Sequence, residues 1–410
     1  MQREPNTTLS GGWRLWARWR AGLAAAAVAL LVAACGGDDP YEPGTGSPSG
    51  APTAPPAGGF KALVSFGDSL SDVGTYTPAT VIPGTNPPVY IGGKFTTNGP
   101  GGTVWVENLA ASLGLIVTPA EVGFAGQSVA CPAAAQGLGT TCTAYGQGGA
   151  RVTDPNGIGK EGGALTVPVK TQIENHLARF GSFKPDDLIV VFGGNNDAFV
   201  QFGAFAARAA QIQAAVQAGQ ITPDQARAAL LDAQLAGFAA MKAAALELSD
   251  YVRSQILAKG GRYVMVWNLP DSTLTPFGQS LPEQVRPVLA DMVEIFNLWL
   301  RDGLTNQPVT IVDANTAFRD AYLNPGKYGI TNNTVPACDA TKIAAITGGA
   351  VTDGSSLFCN ATPGAPFNGL RDGADVDTWQ FADGVHPTAG GHKLISDVAV
   401  QSLKSFGWLN

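Results

Sequence analysis

The chain has 410 residues, a formal net charge of −7 and a hydrophobic fraction of 45%. An acidic chain of this kind is a poor partner for nucleic acid or for anionic lipid headgroups, because both carry negative charge themselves. Residues 1–34 hold four arginines and one glutamate, so the remainder of the chain is more acidic than the whole.

Residues 1–34 are typical of an export signal. Arginines precede an apolar run, residues 21–34, that is too short to span a bilayer. The run ends in Leu-Val-Ala-Ala-Cys at Cys35, which resembles a bacterial lipobox. That resemblance implies cleavage before Cys35 and lipidation of Cys35, and Gly36 after it implies anchoring to the outer membrane. The alternative is a plain secretory signal with an incidental Cys35, which would make the protein periplasmic or secreted.

Residues 35–59 are rich in Gly, Pro, Ser and Asp and nearly lack apolar side chains. Such a segment cannot bury enough apolar surface to fold, so we expect a disordered tether. Residues 60–410 contain no second linker, and we predict that they form one domain.

Short apolar runs bounded by turn residues predict the strands of this domain, at residues 62–66, 188–192, 263–267 and 309–313. Helical patterns lie between the runs, and a last helix is predicted from about 391 to 406. This alternation predicts an α/β fold of three layers, with a mainly parallel central sheet covered by helices on both faces.

An Ala-rich stretch, about 198–259, predicts a helical insertion. Gly219 is a candidate helix stop, and Thr222-Pro223-Asp224-Gln225 is a capping box that starts a second helix. Two interpretations fit the insertion. It is either scaffold that covers one face of the sheet, or a lid or acyl-binding wall formed by Phe199, Phe202 and Phe205.

Four cysteines follow Cys35, and they fit an oxidising compartment. They are Cys131, Cys142, Cys338 and Cys359, for which three pairings are possible. Cys131–Cys142 and Cys338–Cys359 would close short loops in segments with little core of their own, where a disulfide adds most.

A candidate nucleophile lies in the segment Phe66-Gly67-Asp68-Ser69-Leu70-Ser71-Asp72, directly after the first predicted strand. A strand that ends in a glycine turn can present a serine hydroxyl at the sheet edge. Near the other end of the chain, Asp383 and His386 supply a carboxylate and an imidazole three residues apart. Serine needs a base to take its proton, and the base needs a group that holds its tautomer.

Two further segments predict donors for an oxyanion. Residues 145–150 are glycine-rich, so their backbone N–H groups can approach a substrate oxygen. Asn196 follows the second predicted strand, at the edge where open α/β sheets bind ligands. A backbone N–H and a side-chain amide aimed at one oxygen are a standard device in acyl transfer.

Together the four segments resemble the GDSL lipase/esterase family, also called SGNH hydrolases, over roughly residues 60 to 408. The resemblance implies a flavodoxin-like three-layer fold with Ser69 as nucleophile and Asp383 with His386 as the acid–base pair. It also implies an oxyanion hole formed by Ser69, Gly148 and Asn196. The residues before Gly148 depart from the family pattern, which leaves the choice between Gly148 and Gly149 open.

These residues predict a serine esterase or lipase that acts on a small-molecule or lipid ester through an acyl-enzyme and needs no cofactor. An acyltransferase would use the same residues, and a catalytically silent surface binding protein is a further alternative. No group of residues has metal-ligand spacing.

The polar residues near the motifs have structural interpretations. His176 lies on an amphipathic helix and is predicted to be solvated or capping, whereas His392 is predicted to be a structural hydrogen-bonder near the site. Asp68, Asp72 and Asp197 are predicted to tie down their loops.

Overall fold

Four parallel strands form the central sheet of the computed structural model, which describes residues 50–82 and 84–410. The strands are β1 Ala62–Gly67, β4 Asp187–Phe192, β5 Tyr263–Trp267 and β6 Thr310–Val312. They lie side by side across the sheet in the order β1–β4–β5–β6. Each coincides with a predicted strand, because a strand buried on both faces is a continuous apolar run.

Alternate side chains of these strands enter two separate cores, which establishes the three-layer α/β/α fold. One face contributes Val64, Ile189 and Val264 to a core shared with the helical insertion. The opposite face contributes Leu63, Leu188 and Met265 to a core shared with the first and last helices. The predicted fold class is confirmed.

The described helices connect and cover these strands. They are α1 Trp105–Ser112, α2 Val169–Phe180, α3 Asn195–Gln217, α4 Pro223–Tyr251, α5 Pro276–Ser280, α6 Arg286–Gly303, α7 Ala314–Leu323, α8 Ala340–Ile346 and α9 Ala389–Ser405. Short 3₁₀ turns join many of them.

The insertion is a hairpin of α3 and α4, as the sequence predicted. Gly219 adopts φ +67° after the end of α3. The capping box is formed: the Thr222 hydroxyl accepts the Gln225 N–H at 3.2 Å, and the Gln225 side chain accepts the Thr222 N–H at 2.8 Å. The helical run Pro223–Lys259 is long and apolar enough to cross a membrane by length and composition alone. Met241 and Leu248 on this run are buried in the core beside the sheet.

A β-hairpin that the sequence did not predict precedes the glycine-rich segment. Its strands are β2 Glu121–Phe124 and β3 Gln127–Ala130, paired antiparallel. All of β3 is exposed. The hairpin therefore lacks the alternation of buried and exposed residues by which a strand is recognised.

The first described residues pack against the domain rather than extending away from it. The Trp408 indole donates to the Pro52 carbonyl at 2.7 Å, and the Tyr263 hydroxyl donates to the Ala54 carbonyl at 3.0 Å. The predicted tether, residues 35–59, therefore extends too far, because Pro52 and Ala54 at its C-terminal end already contact the domain. The predicted signal and Cys35 lie outside the described residues.

Both short-loop disulfides are present. Cys131 pairs with Cys142 across 11 residues, and Cys338 pairs with Cys359 across 21 residues. The second disulfide joins segments beside the loop that carries Asp383, since the Cys338 N–H donates to the Ala382 carbonyl at 2.9 Å.

Candidate active site

Ser69 lies at the carboxyl end of β1, in a 3₁₀ turn capped by Asp68. Gly67 ends β1 just before this turn, and an added Cβ there would lie 2.3 Å from the Phe192 carbonyl oxygen, so glycine is required. The Ser69 Oγ lies 2.8 Å from the His386 Nε2. The structure therefore brings the predicted nucleophile and base into hydrogen-bond contact from opposite ends of the chain.

Asp383 holds the other side of the imidazole. Its Oδ2 lies 2.8 Å from the His386 Nδ1, and the carboxylate also accepts the N–H groups of Ser356, Val385 and His386. Burial opposes ionisation of Asp383, but His386 and the backbone donors hold its pKa well below the usual range. Asp383 therefore stays charged and can orient the imidazole.

Ser69 opens onto a cleft that is continuous with solvent. Its walls are mostly apolar, formed by Leu70, Tyr76, Phe95, Ile158, Ala164, Phe199, Pro270 and Val385. The centroid of the Phe95 ring lies 4.8 Å from that of the His386 ring, so the aromatic wall reaches the imidazole itself. No lysine or arginine lines this cleft in the described part of the chain.

Asn196 reaches the cleft from the first turn of α3. Its Nδ2 donates one hydrogen to the Ala150 carbonyl at 2.8 Å. Its second amide hydrogen has no acceptor among residues 50–82 and 84–410, and Asn196 lines the cleft together with Ser69. The anchored side chain can therefore donate toward the substrate.

Gly148 does not fit the role that the family resemblance implied. Its N–H donates to the Asp72 Oδ2 at 2.9 Å, so this hydrogen is already used. Within the described ranges, the N–H of the neighbouring Gly149 has no acceptor. The interpretation of Gly148 as a donor to an oxyanion is at odds with this bond, because motif matching does not show which N–H a distant carboxylate occupies.

The acids next to Ser69 tie down its loop, as predicted. Asp68 accepts the Leu70 N–H and the Asn195 side-chain amide, and Asp72 accepts the N–H groups of Gly74 and Thr75. Burial raises the pKa of Asp68 and of Asp72 to about 6, against the hydrogen bonds that favour each carboxylate. Both carboxylates are fully enclosed.

Asp197, at the start of α3, also ties down a loop, the one that contains Arg151 and Val152. It accepts the Arg151 guanidinium at 3.0 Å and the Val152 N–H at 2.9 Å. Because the Ala150 carbonyl anchors Asn196, these contacts fix the segment that positions the amide.

His392 is the structural hydrogen-bonder that the sequence predicted. Its Nδ1 accepts the Trp105 N–H at 3.3 Å, and its Nε2 lies 3.2 Å from the Phe95 carbonyl. Burial lowers the pKa of His392 to about 3. The ring is therefore neutral and supports the segment that places Phe95 against His386.

The prediction for His176 is wrong. Its side chain is buried and stacks on Phe183 with ring centroids 4.5 Å apart. Burial lowers the pKa of His176 to about 4. The helix pattern was correct, but His176 lies on its buried face.

The helical insertion is scaffold on one face of the sheet and also part of the cleft wall, so both interpretations of it hold in part. Phe199 lines the cleft and packs edge-on against Phe277, whereas Phe202 and Phe205 are buried in the core. The hairpin is thus mainly scaffold and gives one aromatic side chain to the cleft wall.

The sequence reasoning missed Ser356 and Tyr76. Ser356 acts through its backbone N–H, which no side-chain motif can show. Tyr76 lies outside the four motif segments, and its hydroxyl donates to the Gly148 carbonyl at 2.8 Å. Among the described residues, no cluster of three or more His, Cys, Asp or Glu side chains could hold a metal.

Comparison with known proteins gives a family match. The profile of the GDSL-like lipase/acylhydrolase family matches residues 63–399. Esterase EstA of Pseudomonas aeruginosa is 31% identical over 151 residues, which is 36% of this chain and 20% of EstA. An uncharacterized protein in the trpE-trpG intergenic region of Pseudomonas putida is 30% identical over 157 residues, 37% of this chain and 23% of that protein.

The matched region is therefore about a fifth of the length of these curated relatives. Among solved structures, an extracellular lipase from Streptomyces rimosus aligns with 83% of this chain and 99% of its own, at 15% identity and a TM-score of 0.36.

Proposed function

The chain belongs to the GDSL-like lipase/acylhydrolase family, and on that premise we propose that it hydrolyses carboxylic esters through an acyl-enzyme on Ser69. One observation carries the proposal. The Ser69 hydroxyl, the His386 imidazole and the Asp383 carboxylate form a continuous chain of hydrogen bonds, each at 2.8 Å. A protein with only a binding role would not need this arrangement.

In the first half of the reaction, the Ser69 Oγ attacks the ester carbonyl carbon while the His386 Nε2 takes the hydroxyl proton. The tetrahedral intermediate then collapses, and its C–O bond to the alcohol breaks as His386 returns the proton to the leaving oxygen. Water attacks the acyl-enzyme in the second half, with His386 again as base, and releases the acid. Asp383 stabilises the imidazolium in both halves.

The negative oxygen of each tetrahedral intermediate needs donors. The free hydrogen of the Asn196 amide and the Ser69 N–H, which has no acceptor in the described part of the chain, are two of them. The third is a backbone N–H of the glycine-rich segment beside Ser69, in which the Gly148 N–H is already bonded to Asp72. Donors of this kind each contribute roughly 10²–10³ in kcat.

The cleft favours an uncharged ester with an apolar acyl group. Its walls are mainly apolar, and in the described ranges they hold no cationic side chain that would pair with an anionic substrate. The cleft is also continuous with solvent, which supplies water as acyl acceptor and favours hydrolysis over acyl transfer to a second alcohol. EstA, the relative described above, is named an esterase.

Labelling and hydrolysis together test this function. A fluorophosphonate probe should modify Ser69, located by mass spectrometry of the peptide, and nitrophenyl esters of increasing chain length should be hydrolysed. Ser69→Ala should abolish both, with a loss of several orders of magnitude in kcat. Ser128→Ala, which alters an exposed serine on β3, is the matched control and should leave both unchanged. Full turnover by Ser69→Ala would refute the proposal.

We further propose that the domain is held at the outer membrane by lipid on Cys35, after removal of residues 1–34. The lipobox-like segment and the Gly/Pro/Ser-rich residues that follow it support this placement.

A further inference from the structure

The backbone of Gly148, Gly149 and Ala150 borders the cleft beside Ser69, and nearly all of its polar groups have partners. The exception in this segment is the Gly149 N–H, which has no acceptor within residues 50–82 and 84–410. The others are paired as follows: Gly148 N–H with Asp72, Gly148 C=O with Tyr76, Gly149 C=O with the Ile158 N–H, Ala150 N–H with the Gln147 C=O, and Ala150 C=O with Asn196. A single buried donor left without a partner in a cleft marks a place where a ligand oxygen would bind.

Tyr76 determines which way that N–H points. The Gly148 C=O and the Gly149 N–H belong to one peptide unit, and in a trans unit they point in opposite directions. The Tyr76 hydroxyl donates to the Gly148 oxygen at 2.8 Å. The Tyr76 hydroxyl thereby directs the Gly149 N–H away from the Tyr76 ring.

The Tyr76 hydroxyl is itself fixed. Its oxygen accepts the Thr166 N–H at 3.1 Å, so its hydrogen is left for the Gly148 carbonyl. The side chain is 1% exposed and packs edge-on against Phe95. Burial raises the pKa of Tyr76 above its usual value, so the hydroxyl keeps its proton.

Asp72 binds the N–H of Gly148, the residue whose carbonyl Tyr76 binds. Its Oδ1 accepts the N–H groups of Gly74 and Thr75, and its Oδ2 accepts the Gly148 N–H at 2.9 Å. One buried carboxylate therefore ties the segment that follows Ser69 to the glycine loop. Gly149 adopts φ +78°, and an added Cβ would lie 1.9 Å from the Ile158 oxygen, so only glycine fits at this position.

We propose that the Gly149 N–H is the glycine donor of the oxyanion hole, and that Tyr76 and Asp72 are positioning residues that aim it at the substrate. The inference rests on the proposed esterase function. Donors held in place before the reaction stabilise the developing charge without the cost of reorganisation. The Tyr76 hydroxyl and the Asp72 carboxylate, which are both bonded to backbone groups, then contribute to kcat and not to ground-state binding.

Tyr76→Phe tests the inference with the loss of one oxygen atom. We expect kcat to fall by about tenfold or more, with KM within about twofold of wild type, because the donor serves the transition state. Affinity for a trifluoromethyl ketone, whose adduct with Ser69 carries an oxyanion, should fall by a similar factor. Tyr263→Phe is the matched control, since it also removes a hydroxyl that donates to a backbone carbonyl, but at the opposite end of the sheet.

Asp72→Asn gives a second test, because an amide nitrogen would face the Gly148 N–H and donor would meet donor. The same split between kcat and KM is expected. Asp187→Asn is its control, a buried carboxylate that accepts the Lys184 N–H at 2.8 Å away from the cleft. Rates are normalised to the folded fraction from circular dichroism.

Three results would overturn the inference. They are an unchanged kcat and ketone affinity in folded Tyr76→Phe, a loss confined to KM, or equal losses in the control variants. A wild-type chain without Ser69-dependent hydrolysis would overturn the proposed function as well, so the two failures are distinguishable.

Discussion

Replacing His392 by glutamine should make the fold less sensitive to acid. The buried ring accepts the Trp105 N–H through Nδ1 and lies against the Phe95 carbonyl through Nε2, so it is bound as the neutral form. Protonation would place a donor opposite the Trp105 N–H and a charge in an enclosed site. Glutamine offers one acceptor and one donor as well, but it does not titrate.

The size of the effect follows from the pKa. Burial lowers the pKa of His392 from 6.5 to about 3. Between these two values the unfolded chain binds the proton and the folded chain does not, so the free energy of unfolding falls as the pH falls below 6.5. At about pH 5 the loss from this one residue is roughly 2 kcal/mol relative to about pH 8.

Urea unfolding at about pH 8 and about pH 5 gives the change in the free energy of unfolding between the two pH values. The loss due to His392 is the difference between this change in wild type and in His392→Gln. Glutamine can cost stability at pH 8, but relative to wild type the variant should gain about 2 kcal/mol on moving to pH 5. Other titrating groups, such as His176, Asp68 and Asp72, are present in both proteins and cancel. An unchanged difference between the two proteins would show that His392 is not held neutral.

Three further changes probe the site and its placement. Asn196→Ala should lower kcat by roughly 10²–10³ with little change in KM, measured with a nitrophenyl ester; an effect on KM alone would mean that Asn196 only positions substrate. Asp383→Asn should cost less in kcat than His386→Ala, because the acid orients the base and does not transfer the proton; the reverse order would contradict the assigned roles. Cys35→Ser should leave ester hydrolysis per molecule intact and move the protein from the membrane fraction to the soluble fraction; an unmodified wild-type N-terminal peptide in mass spectrometry would instead indicate a plain secretory signal.

The sheet could be predicted because its strands carry their signal locally. A segment such as β5 is apolar throughout and is bounded by turn residues, so it is recognisable without its neighbours. The hairpin of β2 and β3 has no such pattern, since β3 is exposed along its whole length. His176 shows the same limit for a single residue, because its position on α2 did not reveal that Phe183 would cover it.

The three side chains that meet at the candidate site were predictable as a set for a different reason. Ser69, Asp383 and His386 carry the groups that the proposed reaction needs, and that chemistry restricts which residue types can stand there. Ser356 supports Asp383 through a backbone N–H that any residue except proline could provide. Its contribution depends on where the loop between Cys338 and Asp383 lies, and this is set by tertiary contacts such as the disulfide.

The two adjacent glycines show why an oxyanion hole is harder to predict than a nucleophile. Gly148 and Gly149 are chemically identical, and each sits where a Cβ would collide with a neighbour, so both glycines are required for steric reasons alone. What distinguishes them is that Asp72, 76 residues earlier, occupies one N–H and leaves the other. A backbone donor is thus defined by the partners of its neighbours, and these partners come from segments that only the folded chain brings together. Substitutions at Tyr76 and Asp72 should therefore say more about the proposed hole than substitutions at the glycines, which would disturb the fold before they removed the proposed donor.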